Sequence, residues 1–230
     1  MGQPLRHGFA MNDSQRANLE RRVQFWGGSS AVRERIAGLH SPVAEVVLFL
    51  ECVPLTLREW IWTQHARGAE IFAAALAFTQ ERLFNTIGFM NGRGVVHFDT
   101  HFDNIVTDGE RLYFNDFGLA LAADFDLGGD EIAFLKRHRD YDRCRAAASF
   151  MHAVTTAVFG PGGAPGDWKE SLRTALRSDS LPMSPPVAAT IQKQGPAALA
   201  MLEFSRQLVE EDIRTPYPEE RFAQVVARGG

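Results

Sequence analysis

Apolar side chains recur at steps of three and four between residues 69 and 91. The stripe they form consists of Phe72, Leu76, Thr79, Leu83, Ile87 and Met90. This spacing places its members on one face of a helix, and a mostly apolar face packs against a core. Gly92 and Gly94 end the pattern. We therefore predict a long amphipathic helix over residues 69–91.

A short apolar run precedes this helix. Residues 45–52 have the sequence E-V-V-L-F-L-E-C, which is rich in β-branched and aromatic side chains, and Pro54 follows. A run of this length and composition predicts a buried strand. Residues 56–60 then predict the start of a short helix.

Two strand-like pieces follow the long helix, at residues 104–106 and 112–114. The connection between them begins with residues 107–109, and the pair Asp108-Gly109 within it is a strong hairpin signal. We therefore predict one short β-hairpin.

The other patterns are helical. Asn12, Asp13 and Ser14 are plausible N-caps for a charged helix that ends near residue 25, before a Gly-Gly-Ser-Ser cluster. Beyond Asp126 the patterns predict helices at residues 129–138, 140–158, 167–177, 186–193, 196–213 and 217–227. The predicted fold class is therefore α+β and mainly helical.

The composition of the chain bears on which kinds of molecule it is expected to bind. The 230 residues are 45% hydrophobic and carry a formal net charge of −4, so the chain has no general electrostatic attraction to nucleic acids or anionic membranes. No apolar stretch approaches the ~18 residues of a membrane helix. The two cysteines match no disulfide framework or zinc spacing. We expect a cytoplasmic protein with no nucleic-acid or membrane partner.

Residues 95–121 carry the candidate chemistry. His97-Phe98-Asp99 is followed by Asn104 five residues after the Asp, and Asp116-Phe117-Gly118 follows the hairpin. Phosphoryl transfer accounts for all three features: one Asp positions the acceptor hydroxyl and takes its proton, while an Asn and a second Asp hold Mg²⁺. Amide and carboxylate oxygens are hard ligands of the kind that Mg²⁺ prefers.

In order and spacing, this segment resembles the catalytic loop and D-F-G triplet of the protein-kinase-like superfamily. The resemblance implies that Asp99 is the catalytic base and that Asn104 and Asp116 bind Mg²⁺. The form H-x-D-x-H-x-x-N, with His101, is closer to the aminoglycoside and choline kinase branch, and the sequence has no A-P-E triplet downstream. A hydroxyl-bearing small molecule is therefore favoured over a protein as acceptor.

The resemblance implies further roles outside the catalytic loop. Residues 46–54 look like the hinge strand and hinge, where the backbone of Leu50, Glu51, Cys52 and Val53 would bind the adenine of ATP. Asp142, with Asp140 as the less favoured choice, lies where a helix Asp of the family supports the catalytic loop. The remaining residues expected to support the site are His97, His101, Phe117 and Gly118.

The N-terminal part departs from the family pattern. The small lobe of the family supplies a Gly-rich loop over the phosphates and a strand Lys, but residues 1–44 contain no G-x-G-x-x-G and the first Lys is Lys136. We therefore expect residues 1–44 to be a partial or degenerate small lobe and residues 45–230 to be the large, catalytic lobe. Phosphoryl transfer by this chain is expected to be impaired.

Two alternatives stay open at this point. A kinase fold without the Lys and the phosphate loop could be a binding module without activity, that is, a pseudokinase. The run His97, Asp99, His101 and Asp103 also has the form H-x-D-x-H-x-D, which is a plausible ligand cluster for a metal-dependent hydrolase.

Overall fold

The computed structural model describes residues 12–25, 27–38, 47–160, 167–177 and 183–229. The chain divides into two compact units. One comprises Met1–Glu51 with Asp212–Arg214, and the other comprises Cys52–Glu211 with Thr215–Gly230. The predicted assignment of these parts to a small and a large lobe stays a prediction.

The first unit contains two helices, α1 (Asp13–Phe25) and α2 (Ser30–Gly38). The first confirms the helix predicted at residues 13–25, whereas the second was not predicted. Leu19, Val23 and Ile36 form a small buried cluster between them, and Glu20 is ion-paired with Arg33 at the surface. A three-residue apolar cluster accounts for the packing of α1 on α2.

The strand predicted at residues 45–52 is wrong for the described residues 47–52, which form no regular secondary structure. Residues 45 and 46 lie outside the described part. Four apolar side chains here are exposed: Val47 by 66%, Leu48 by 73%, Phe49 by 94% and Leu50 by 76%. A strand requires hydrogen bonds to a paired neighbour, and no described strand pairs with this segment.

The second unit is mainly helical, as predicted. Its helices are α3 (Leu57–Ala66), α4 (Ala69–Gly92), α5 (Gly129–Arg137), α6 (Tyr141–Phe159), α7 (Trp168–Arg177), α8 (Pro185–Arg206) and α9 (Glu219–Gly229). The stripe predicted on α4 faces the core, with Phe72, Leu76, Leu83 and Ile87 buried. At the centre lies α6, whose alanine-rich face packs against α8.

The helix break predicted at residues 194–195 is wrong, because α8 continues through Pro196. Proline removes one backbone hydrogen bond and normally kinks or ends a helix. Here Gly195, Ala197 and Ala198 are buried against neighbouring helices. A Cβ on Gly195 would lie only 2.9 Å from Leu176 of α7. Close packing along both sides of Pro196 therefore keeps the helix continuous.

The predicted hairpin is present as β3 (Ile105–Thr107) and β4 (Leu112–Phe114), paired antiparallel with Val106 opposite Tyr113. Asp108 closes the turn, because one carboxylate oxygen accepts hydrogen bonds from the N–H groups of Glu110 and Arg111, both at 2.8 Å. These contacts, with a third from the Tyr113 hydroxyl, lower the pKa of Asp108 to about 2. The hairpin is thus held by local bonds.

Three further short strands are present, and two of them flank the loop at residues 97–120. β1 (Leu55–Thr56) pairs antiparallel with β3, and β2 (Val95–Val96) pairs antiparallel with β5 (Leu121–Ala122). The second pairing joins the two ends of residues 97–120, which contain the candidate chemistry. No helix in the ranges that the structure describes combines the length and apolar character needed to cross a membrane.

Candidate functional site

A buried carboxylate holds the start of the candidate loop. Asp142 Oδ2 accepts a hydrogen bond from the backbone N–H of His97 at 2.7 Å, and Oδ1 accepts one from the N–H of Phe98 at 2.8 Å. The Thr100 hydroxyl donates to the backbone carbonyl of Asp142 at 3.0 Å. Burial raises the pKa of the Asp142 carboxyl, while the two N–H groups act in the opposite direction.

Phe98 and Asp116 have unusual backbone conformations. Their φ angles are +65° and +56°, and among the described residues other than glycine they are the ones with positive φ. Such a conformation costs roughly 1–2 kcal/mol per residue and persists where the surroundings impose it. The first precedes the predicted base, and the second is a predicted magnesium ligand. Backbone strain of this kind is concentrated at functional sites.

The ring of His97 connects the two parts of the site. Its Nε2 lies 2.9 Å from the carbonyl oxygen of Asn115, and its Nδ1 accepts a hydrogen bond from the N–H of Asp99 at 3.3 Å. This network assigns the proton to Nε2. The ring also packs against Phe114 and Phe117, with centroid distances of 6.0 and 4.6 Å. Both ring nitrogens are therefore engaged inside the protein.

This arrangement argues against the hydrolase alternative. A metal ligand needs a ring nitrogen with a free lone pair, whereas both nitrogens of the fully buried His97 are occupied. Asp103, another member of the proposed cluster, is paired with Arg58 at 2.9 Å. Among the described residues, no three His, Cys, Asp or Glu side chains form a group that could hold a metal.

Asp99 and Asn104 are in direct contact. The Asn104 amide Nδ2 donates to Asp99 Oδ2 at 3.0 Å and to the Asp99 backbone carbonyl at 3.1 Å. Two donated bonds fix the orientation of the amide, so its oxygen Oδ1 is left as an acceptor facing away from Asp99. The Asp99 side chain is 27% exposed, which leaves it accessible to a ligand.

A backbone hydrogen bond joins the residue before Asp116 to Asn104. The N–H of Asn115 donates to the carbonyl of Asn104 at 2.8 Å, directly before Asp116. The exposed Asp116 carboxylate accepts a long 3.3 Å bond from the N–H of Gly118, and a single 3₁₀ turn, Phe117–Leu119, follows. The carboxylate of the exposed Asp116 and the amide oxygen of the half-buried Asn104 are hard oxygen ligands of the kind that Mg²⁺ prefers. Shared coordination by Asn104 and Asp116 stays a prediction.

Sequence reasoning missed a chain of polar contacts beside the loop. His101 Nε2 lies 3.5 Å from Asp99 Oδ1, and its Nδ1 accepts a hydrogen bond from the N–H of Asp103 at 3.2 Å. Asp103 binds the guanidinium of Arg58, which also contacts His152 at 3.2 Å. No spacing in the sequence indicates these partners, because α3 and α6 bring them from distant positions.

Among the predicted adenine-binding residues, Leu50, Glu51 and Cys52 are exposed and Val53 is half-buried. Their role toward ATP stays a prediction.

Comparisons with known proteins give a partial answer. Aligned over 85 residues, this chain is 38% identical to CBL-interacting protein kinase 16 of Oryza sativa subsp. japonica. Part of the chain is similar to a protein kinase. The match covers 33% of this chain and 19% of the length of that kinase. No known family profile matches the chain, and no solved structure does.

Proposed function

We propose that this chain is a phosphotransferase that moves the γ-phosphate of ATP to a hydroxyl group of a small-molecule acceptor. The observation that carries the proposal is the contact between Asp99 and Asn104 on a loop anchored by Asp142. This contact places a partly exposed carboxylate beside an oriented amide, which is the pairing that phosphoryl transfer uses. The partial similarity to a protein kinase supports the same class of reaction.

In this proposal Asp99 positions the acceptor and takes its proton. Its Oδ2 already accepts the amide of Asn104 at 3.0 Å, whereas its Oδ1 has only the longer contact of 3.5 Å with His101 Nε2, so we assign the proton to Oδ1. The acceptor oxygen forms a bond to the γ-phosphorus, the bond from that phosphorus to the bridging oxygen breaks, and ADP leaves with the electron pair. Asn104 Oδ1 and the Asp116 carboxylate would hold Mg²⁺, which neutralises charge on the phosphates.

We further propose that this 230-residue chain binds Mg·ATP weakly and transfers phosphate slowly. Its sequence lacks a G-x-G-x-x-G over residues 1–44 and has no Lys before Lys136. Because catalysis of phosphoryl transfer consists mainly of positioning and charge stabilisation, loss of these contacts to the β- and γ-phosphates is severe. An Arg does not replace that Lys equivalently.

Calorimetric titration with Mg·ATP tests the proposal, together with an ATP-consumption assay over amino sugars, nucleosides and a generic protein acceptor. We expect weak binding that depends on Mg²⁺ and is reduced by Asp116→Asn, with slow turnover on a small-molecule acceptor. Binding without turnover on any acceptor would favour the pseudokinase alternative. Absence of Mg-dependent nucleotide binding would contradict both the phosphotransferase proposal and the pseudokinase alternative. Micromolar affinity with rapid turnover would refute the proposal that phosphate transfer by this chain is impaired.

A further inference from the structure

A cavity of 370 Å³ opens beside the candidate loop. His101 forms part of its wall, and the same ring lies 3.5 Å from the carboxylate of Asp99. The other walls come from α3, α6, α7 and α8, which contribute Arg58, Arg145, Trp168 and Leu202. A ligand in this cavity therefore lies one side chain, that of His101, away from the predicted catalytic base, which does not itself line the cavity.

The charge of Arg58 is balanced within the protein. Its Nε and Nη2 donate to the two oxygens of Asp103 at 2.9 and 3.1 Å, which is a bidentate pair. Its Nη1 contacts His152 Nδ1 at 3.2 Å. Burial and the neighbouring guanidinium lower the pKa of His152, so this ring is neutral near pH 7. The pair of Arg58 and Asp103 adds no net charge to the cavity.

Arg145 supplies a charge that is not balanced in this way. Within the described ranges its guanidinium has one side-chain hydrogen bond, 3.5 Å from Nη1 to the Ser149 hydroxyl. It interacts with the Asp103 carboxylate only through space, because that carboxylate is already bonded to Arg58. The two residues are one helical turn apart on α6 and both line the cavity. An arginine and a hydroxyl on one wall form a binding surface for a carboxylate or phosphate.

The cavity also has a less polar part. The indole of Trp168 packs on the ring of His152 with centroids 4.7 Å apart, and Leu202 and Ala148 lie alongside. This surface suits the carbon skeleton of a small molecule. A cavity of 370 Å³ is at the lower end of the size range of ligand sites.

We propose that this cavity binds the acceptor and that the acceptor is a small hydroxylated anion. Arg145 and Ser149 bind its carboxylate or phosphate, and its hydroxyl faces the His101 side of the cavity, next to Asp99. The identification of the ligand as acceptor rests on the proposed phosphotransferase function. Recognition of the anion by Arg145 does not depend on that proposed function.

Binding is measured by calorimetry on the full chain without ATP or Mg²⁺, with glycerate, glycerol 3-phosphate and glycerol as probes. We expect at least one of the two anions to bind and glycerol to bind much more weakly, since it offers Arg145 no charge. Comparison of glycerate with glycerol 3-phosphate distinguishes a carboxylate from a phosphate ligand.

Three variants show whether Arg145 is responsible for anion binding. Arg145→Gln should weaken anion binding by about 10- to 100-fold, the loss expected for hydrogen bonds between charged groups. Arg177→Gln removes the same charge from an exposed position on α7 outside the cavity and should leave binding unchanged. Arg145→Lys keeps the charge without the planar fork and should give an intermediate affinity. Thermal unfolding monitored by circular dichroism verifies that each variant is folded.

The proposal is overturned if neither anion binds, if glycerol binds as tightly as the anions, or if Arg145→Gln matches Arg177→Gln. Because the titrations contain no nucleotide, absence of phosphoryl transfer would leave this result intact. Phosphate transfer to neutral acceptors without anion binding would instead refute the proposed anion site and support the proposed phosphotransferase function.

Discussion

Asp142 Oδ2 lies 2.7 Å from the backbone nitrogen of His97, although the two residues are 45 positions apart in sequence. Both are fully buried. The helix α6 therefore fixes where the candidate loop begins, and the position of Asp99, two residues later, depends on this contact. Bonds to a buried carboxylate of this kind are costly to remove.

Asp142→Ala should lower the free energy of unfolding by about 3 kcal/mol, because two buried N–H groups lose their acceptor. Asp142→Asn retains one acceptor oxygen and should cost less. Urea unfolding followed by circular dichroism provides the measurement. Asp140→Ala is the matched control, since the Asp140 carboxylate makes no hydrogen bond to the loop in the described structure and pairs with Arg139 at 3.8 Å. Equal losses in the Asp142 and Asp140 variants would contradict the assignment.

Asp99→Asn should reduce turnover by roughly 10²–10⁴-fold, the usual contribution of a general base. The variant keeps an acceptor oxygen for Asn104, so its unfolding midpoint should match that of the original chain. Initial rates with a verified acceptor give the test. Asp124→Asn removes one negative charge at an exposed position after β5 and should keep full activity. An unchanged rate in the Asp99 variant would exclude this residue from the mechanism.

The two cysteines should differ in reactivity toward a thiol reagent such as DTNB. Cys52 is exposed, while Cys144 is buried and its burial raises the pKa of the thiol to about 12. One thiol should react quickly in the native protein and the second only in denaturant, and Cys52→Ser should abolish the fast phase. If residues 50–53 bind adenine, Mg·ATP should slow the labelling of Cys52. Unaltered labelling at saturating nucleotide would argue against the predicted hinge.

His138 should make stability depend on pH. Burial lowers its pKa below the ordinary value of 6.5, with a smaller contribution of the same sign from Arg137, while Glu219 and a hydrogen bond to Phe134 oppose the shift. The unfolded chain then binds the proton more readily, so the stabilisation is complete above pH 6.5 and is lost as the pH falls through the folded-state pKa. Urea unfolding at about pH 7.5 and about pH 5.5 should show a smaller difference for His138→Gln than for the original chain. An identical difference in both proteins would show that His138 is not responsible.

Gly94→Ala should destabilise the fold by about 1–3 kcal/mol. The φ of Gly94 is +74°, and a Cβ there would lie 2.7 Å from the Cβ of Ala123, where β2 begins to pair with β5. Gly88→Ala, at an exposed position of α4 with no atom within 4 Å of the added methyl, should instead stabilise by up to ~1 kcal/mol. Thermal unfolding of both variants measures the contrast, and a shift of the same sign in both would contradict it.

Several features followed from the sequence because they depend on neighbouring residues. The hairpin at residues 105–114 is closed by Asp108, which bonds to groups two, three and five residues away. The apolar stripe of α4 likewise follows from the helical spacing of apolar residues within that one segment. The spacing of Asp99 and Asn104 is local too, and a five-residue loop is short enough for their side chains to meet.

Other features were decided by contacts between distant residues. Propensity predicted a break before Pro196, but the burial of its neighbours against α6 and α7 outweighs one lost hydrogen bond. Residues 47–50 have the composition of a strand, yet no described strand pairs with them, so they stay exposed. Arg58 meets Asp103 across 45 positions and leaves Arg145 to define the charge of the cavity. Local spacing determines which residues can share a turn or a helix face. Contacts between residues distant in sequence depend on how the helices pack, and only the tertiary structure shows this packing.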